Sequence, residues 1–205
     1  MNEEKLNSLR AKVSGYMSEG RFKHTLGVEK MARKLGGIFL PDRISELCAA
    51  ALLHDVAKEI SREEQLSLIA DLDYKERDLT RESAACLHAF AAPMLIKRDF
   101  PEFASSDILS ATFKHTTGNK DMSVFDKIIF ISDYSEEGRT YPACIKLREK
   151  LFSKLEKADG ERDKLFYLNK AILEAIDNTL FSLSLRGSEI SDFTILARES
   201  ISALI

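Results

Sequence analysis

The chain predicts an all-α fold, a helical bundle with a C-terminal helical extension. Apolar residues recur at helical spacing along almost its whole length, and the alternation of a half-buried strand is nearly absent. Serine, aspartate and proline stand where the periodic runs begin, and glycine where several end, as helix boundaries require. No internal repeat, low-complexity tract or linker interrupts the 205 residues. Residues 1–160 therefore read as one core and residues 161–205 as an extension packed on the same domain.

The first helix is expected from about Glu3 to Glu19, with Leu6, Leu9, Val13, Tyr16 and Met17 on one face and Gly20 as its stop. A second runs from about Phe22 to Leu35. Its apolar stripe is Leu26, Val28, Met31, Ala32 and Leu35, its first turn holds His24, and Gly36-Gly37 is expected to end it. Pro41-Asp42 opens a third, because proline is tolerated in a first turn. That helix passes through Leu47 and Leu53 and delivers His54-Asp55. Ser61-Arg62-Glu63-Glu64 matches a capping box and starts a fourth. Residues 71–78 are polar and read as a loop.

A fifth helix begins near Arg81 and carries His88. Pro93, which lacks a backbone donor, is expected to kink or break it. Ser105-Ser106-Asp107 caps a sixth, Ile108 to about His115, closed by Thr116-Thr117-Gly118-Asn119. The seventh runs from Ser123 to Asp133, and a polar loop from Ser135 to Pro142 holds Arg139. Helices from about Ile145 to Lys157, Glu161 to Leu185 and Ser191 to Ala203 complete the chain, with Gly187 as a stop.

Bulk properties narrow the function. The chain is 44% hydrophobic, enough for a real core. A net charge of −3 argues against a protein that coats nucleic acid, so DNA is not an expected partner. A small phosphorylated ligand needs only a few local cations. Cys48, Cys86 and Cys144 form no Cys-x-x-Cys pair, so neither a zinc ribbon nor a redox dithiol is suggested. The polar, acidic N-terminus is unlike a secretory signal, and no apolar run approaches the roughly 20 residues of a membrane helix. A soluble cytoplasmic protein is expected, and its amphipathic C-terminal helices could serve a homodimer.

The chemistry gathers on His24, His54, Asp55, His88, His115 and Asp133. Successive members are separated by about one helix plus a connection, so each element of a bundle can supply one to a shared interior site. Taken singly, His24 or His88 reads as a packed core residue. His54-Asp55 at the end of an apolar helix does not, because a buried charge demands a partner or a metal. Imidazole and carboxylate ligands without thiolate point to Fe, Mn, Co, Zn or Mg. Six ligands exceed one tetrahedral ion and imply two ions sharing a carboxylate. Such a pair suits in-line attack on phosphorus by an activated water. Lys58 could reach a phosphate oxygen, Arg139 could clamp one bidentately, and Thr116 and Thr117 could donate hydrogen bonds beside His115.

The order His…His-Asp…His…His…Asp resembles the HD-domain metal-dependent phosphohydrolases. The motifs Arg21-Phe22-Lys23-His24-Thr25-Leu26-Gly27-Val28, Ala51-Leu52-Leu53-His54-Asp55-Val56-Ala57-Lys58, His115-Thr116-Thr117-Gly118 and Ile131-Ser132-Asp133-Tyr134-Ser135-Glu136-Glu137-Gly138-Arg139 resemble the bacterial YqeK family. That family consists of symmetrical bis(5′-nucleosyl)-tetraphosphatases. The resemblance covers about residues 15 to 160. It implies hydrolysis of diadenosine tetraphosphate to two ADP at an iron-type centre. By position His24, His54, Asp55 and Asp133 would carry the primary ion, and His88 and His115 would help hold a second ion or the phosphates. Asp55 and Lys58 would be catalytic, with Asp55 also bridging, and Lys58 and Arg139 would neutralise phosphate oxygens. Glu137 departs from the family's proline at that place, and Pro93 follows His88 later than the family's turn. Other readings are a nucleotide phosphatase, a cyclic-dinucleotide phosphodiesterase, whose His-His-Glu…Gly-Tyr-Pro signature is missing, and a non-catalytic nucleotide-binding protein.

Overall fold

A computed structural model describes residues 2–70, 72 and 78–205. Among them the chain forms α1 (Glu3–Val13), α2 (Glu19–Phe39), α3 (Ile44–Leu53), α4 (Arg62–Ala70), α5 (Ala84–Asp99), α6 (Ser106–Lys114), α7 (Val124–Ser135), α8 (Pro142–Leu155), α9 (Gly160–Leu185) and α10 (Asp192–Ser202). The all-α expectation holds. The expected polar loop 71–78 lies, apart from Leu72 and Asp78, outside the described residues. Among the described residues no helix is long and apolar enough to cross a membrane.

The bundle is built around α3. Its residues Leu47 to Leu53 are all fully buried, and α1, α2, α6 and α7 pack around it. A helix apolar on every face has to be enclosed in this way. Three consecutive alanines, Ala49 to Ala51, let the neighbours come close, and the helix ends by delivering His54 and Asp55 into the interior.

Two glycine readings are corrected. Gly20 does not stop α1, which ends at Val13. It lies in the first turn of α2, whose cap is Ser18, accepting from the Arg21 amide. Gly36-Gly37 does not end α2 either, and the helix continues to Phe39. A Cβ on Gly36 would stand 2.8 Å from the Leu47 side chain, so this glycine exists for close approach to α3. Leu26, expected in the apolar stripe, is 36% exposed, and Thr25 is buried in its place.

Pro93 is also corrected, since α5 runs unbroken through it. A proline inside a helix costs about 3 kcal/mol. Leu87, Phe90, Leu95 and Ile96 on the same helix are completely buried, and each such side chain contributes about 1.5–3 kcal/mol. Packing against α4 and α6 therefore outweighs the lost hydrogen bond. At the far end α10 folds back over α5 and α6, setting Phe193 against Phe90 and Phe113 at centroid distances of 5.4 and 6.0 Å. Gly118, at φ +70°, lies beneath it, where a Cβ would stand 2.7 Å from Ala197.

Candidate metal centre

The six sequence-derived candidates converge from five places in the fold. His24 comes from α2, His88 from α5 and Asp133 from the last turn of α7. His54 is the C-cap of α3, with Asp55 next to it, and His115 is the C-cap of α6. Asp133, expected at a helix end, is inside α7, which extends to Ser135.

Asp55 stands at the middle. Its Oδ2 lies 3.4 Å from His54 Nε2 and 4.0 Å from His24 Nε2. Its Oδ1 lies 3.2 Å from His88 Nε2 and 3.5 Å from His115 Nε2. One carboxylate thus turns one oxygen to each pair of imidazoles. Asp133 Oδ1 closes the first side at 3.0 Å from His24 Nε2.

Local structure sets the ring tautomers. His54 Nδ1 is 2.6 Å from the Ala51 carbonyl, and His115 Nδ1 is 2.7 Å from the Thr112 carbonyl. A carbonyl can only accept, so Nδ1 carries the proton and Nε2 presents a lone pair inward. Both carbonyls belong to the last turn of a helix, where intrahelical donors run out. His24 Nδ1 faces Glu136 Oε1 at 3.2 Å, which frees its Nε2 in the same sense.

This arrangement fits a divalent cation. His24 Nε2 and His54 Nε2 are buried, yet neither has a hydrogen-bond partner, and a carboxylate oxygen stands beside each. Two sets of donors are close enough to share an ion, His24-His54-Asp133 and His54-Asp55-His115. The donors are nitrogen and oxygen without sulfur, which suits Fe, Mn, Co, Zn or Mg. His88 is in neither set. It faces Lys58 Nζ at 3.1 Å from Nδ1 and 3.3 Å from Nε2.

Burial opposes charge on His54, but the Asp55 carboxylate beside it outweighs burial and raises its pKa. Burial opposes ionisation of Asp55, but the imidazoles of His54, His115 and His88 around it hold its pKa well below the usual value. Asp133 is likewise held low against burial, by the His24 and His54 imidazoles and the charge of Arg139. Burial, aided by the Lys58 charge, pushes His88 down to about 4, so it is neutral. Burial also lowers the Lys58 pKa.

The other candidates divide. Lys58 lies at the cluster beside His88, and Thr116 Oγ1 is 2.9 Å from His115 Nε2 and 3.1 Å from His88 Nε2. Thr117 is turned away. It is buried, and its hydroxyl donates to the Gly118 carbonyl at 3.0 Å. Arg139 is engaged with Asp133, through Nη2 to Oδ1 at 2.6 Å and Nε to the backbone oxygen at 3.2 Å. The loop holding it is tied down without the family's proline. Arg148 donates to the Ser135 and Glu136 carbonyls, and Glu137 pairs with Lys30.

Two residues had no role in the sequence reading. Arg21 pairs with Asp55 Oδ2 at 2.8 Å. Glu136 is 3% exposed, accepts from the Gly138 amide and orients His24. Its carboxylate fills the space where a Cβ on Gly27 would collide with Oε2 and one on Gly138 would stand 2.9 Å away. A glycine inside an otherwise good helix costs roughly 1 kcal/mol. Gly27 in mid-α2 was therefore the available signal that a side chain from elsewhere needs that space.

Two cavities open from this centre. One, of 380 Å³, is lined by Arg21, His24, Glu136, Arg139 and Tyr141. The other, of 530 Å³, runs from His115, Thr116 and Asp133 past Arg139 and Tyr141 to α9.

Residues 21–138 match the model of the HD domain. Proteins named symmetrical bis(5′-nucleosyl)-tetraphosphatase from Halalkalibacterium halodurans and Bacillus subtilis are each 30% identical to this chain. The alignments cover 89% of both chains in the first case and 90% of both in the second. This chain belongs to the HD-domain family, in the branch of the symmetrical bis(5′-nucleosyl)-tetraphosphatases. The resemblance drawn from the four motifs is the same. A solved structure from Clostridium acetobutylicum, described as a predicted HD superfamily hydrolase involved in NAD metabolism, has a TM-score of 0.79 at 29% identity. It covers 99% of this chain and 98% of its own. As an HD-domain hydrolase the chain is expected to use a divalent metal, and the His/Asp cluster is where one fits.

Proposed function

We propose that this enzyme hydrolyses diadenosine tetraphosphate symmetrically, adding water across the central P–O–P bridge to release two ADP. The observation that carries the reading is Asp55, with one oxygen turned to each pair of histidines at the junction of two cavities. The relatives named for this reaction support it.

The ligand roles follow. His24, His54, Asp55 and Asp133 would hold one ion, iron first among the candidates. His115 with the second oxygen of Asp55 would hold another, and His88 would face it or the phosphates. Bound ions of this kind supply an acidified water and offset charge on phosphate oxygens. Asp55, ionised at neutral pH, also orients the attacking water toward phosphorus. Lys58 and Arg139 neutralise non-bridging oxygens, and Thr116 donates a hydrogen bond. Arg21 adds a third cation beside Asp55, whereas Thr117 holds the turn that places Thr116. Preorganised charge of this sort is the main catalytic term in phosphoryl transfer.

Product analysis tests the proposal. Protein purified without chelator is assayed for metals and incubated with diadenosine tetraphosphate, and the nucleotides are resolved by ion exchange. ADP alone, lost on chelation, is the expected result. ATP with AMP would mean asymmetric cleavage and sink the proposal. The solved neighbour's link to NAD metabolism favours a second reading, in which a pyrophosphate-linked dinucleotide is the substrate. Cleavage of NAD but not of the tetraphosphate would select it.

A further inference from the structure

The larger of the two cavities has features that the metal chemistry does not use. Its inner end is His115, Thr116 and Asp133, and its outer wall is Asn178 and Ser182 on α9 facing Tyr141 at the start of α8. At 530 Å³ it has the size of a small-molecule site, and it begins where the phosphates would lie. All three outer-wall residues lie beyond residue 138, outside the part of the chain that matches the HD domain.

We propose that this cavity is a nucleoside subsite, in which the Asn178 amide reads the edge of an adenine base and Tyr141 stacks on its face. The assignment deepens the dinucleotide reading above and rests on it for the position of the phosphates.

Asn178 is half-buried, and its interaction partner is the Tyr134 hydroxyl. A carboxamide has two donor positions and two acceptor positions, so that contact leaves several available. The neighbouring Thr179 hydroxyl is occupied, donating to the Ala175 carbonyl at 2.8 Å. An asparagine amide matches adenine because it donates to N7 while accepting from the N6 amino group. Guanine offers two acceptors on that edge and leaves the amide oxygen facing another oxygen.

Tyr141 is 70% exposed at the mouth, an unusual position for a large ring immediately before a helix whose Cys144 and Leu147 are buried. It borders both cavities, as Arg139 does. A base sliding against it covers an apolar face that is otherwise left in water, and such stacking tolerates any base. Tyr141 therefore provides affinity and Asn178 provides the choice of adenine.

Calorimetric titration of the metal-loaded protein with ADP, GDP and pyrophosphate tests the assignment. Asn178→Ala and Tyr141→Ala are each expected to weaken ADP about tenfold while moving pyrophosphate less than about twofold. Asn178→Ala should also erase a preference for ADP over GDP that Tyr141→Ala keeps. Ser182 is exposed on α9, so Ser182→Trp leaves the fold intact, fills the cavity and should remove ADP binding. This last variant decides the matter if Asn178→Ala disturbs folding. ADP binding no tighter than pyrophosphate in the unaltered protein, or unchanged in Ser182→Trp, overturns the subsite. Binding needs no turnover. A protein that binds ADP as described yet never cleaves diadenosine tetraphosphate keeps the subsite and loses the proposed reaction.

Discussion

His54 and His115 differ from His24 and His88 in what holds the ring. The first two cap their own helices, and each Nδ1 donates to a carbonyl three residues back. Backbone that is already helical therefore orients them. His24 sits within α2, and its ring is set by Glu136, more than a hundred residues away in sequence. His88 sits within α5 and faces the ammonium of Lys58, a cation that must donate to it. The two capping rings are thus prepared by local structure, and the other two depend on the assembled bundle.

The widest test of this contrast removes what all four share. Asp55→Ala is expected to abolish both turnover and bound metal, measured by plasma mass spectrometry on the purified variant. Retained metal would mean that the imidazoles suffice and that Asp55 is not their common centre.

A smaller effect separates His24 from the capping pair. Glu136→Ala should lower metal affinity about 10–100-fold, as loss of an orienting partner does. Glu136→Gln, which keeps an acceptor for His24 Nδ1, should recover part of it. Gly27→Ala should act in the same direction because its methyl displaces the Glu136 carboxylate. Metal titrations that leave Glu136→Ala at full affinity would show that His24 needs no external support.

The smallest expected effect concerns α2 itself. Gly37 is exposed with open space around its Cα, so Gly37→Ala should stabilise the protein by about 0.5–1 kcal/mol. Gly36→Ala should destabilise it by about 1–3 kcal/mol, because the new methyl meets Leu47. Thermal or denaturant melts read both. Shifts of the same sign would contradict the different duties assigned to these adjacent glycines.

Much of the architecture was legible in one dimension. Capping signals located α4 and α6, where Ser61 and Ser105 accept helix N-terminal amides, and Gly187 marks a stop at φ +61°. Where the reading failed, a neighbour in space had overruled a local rule. Gly36 looked like a terminator and is a contact surface for α3. Pro93 looked like a breaker and is held by the buried residues flanking it.

The sequence by itself determined an all-helical chain and the six side chains that converge, because helical period and residue chemistry are local properties. The structure shows that the rings of His54 and His115 are then oriented locally, by carbonyls of their own helix ends. Only the tertiary structure decided that Asp55 turns one oxygen to each pair of rings, that Glu136 reaches His24 through the space left by Gly27, and that Thr117 faces inward while Thr116 faces the cluster. Those outcomes depend on how helices distant in sequence press together, and close packing admits one arrangement where local rules allow many.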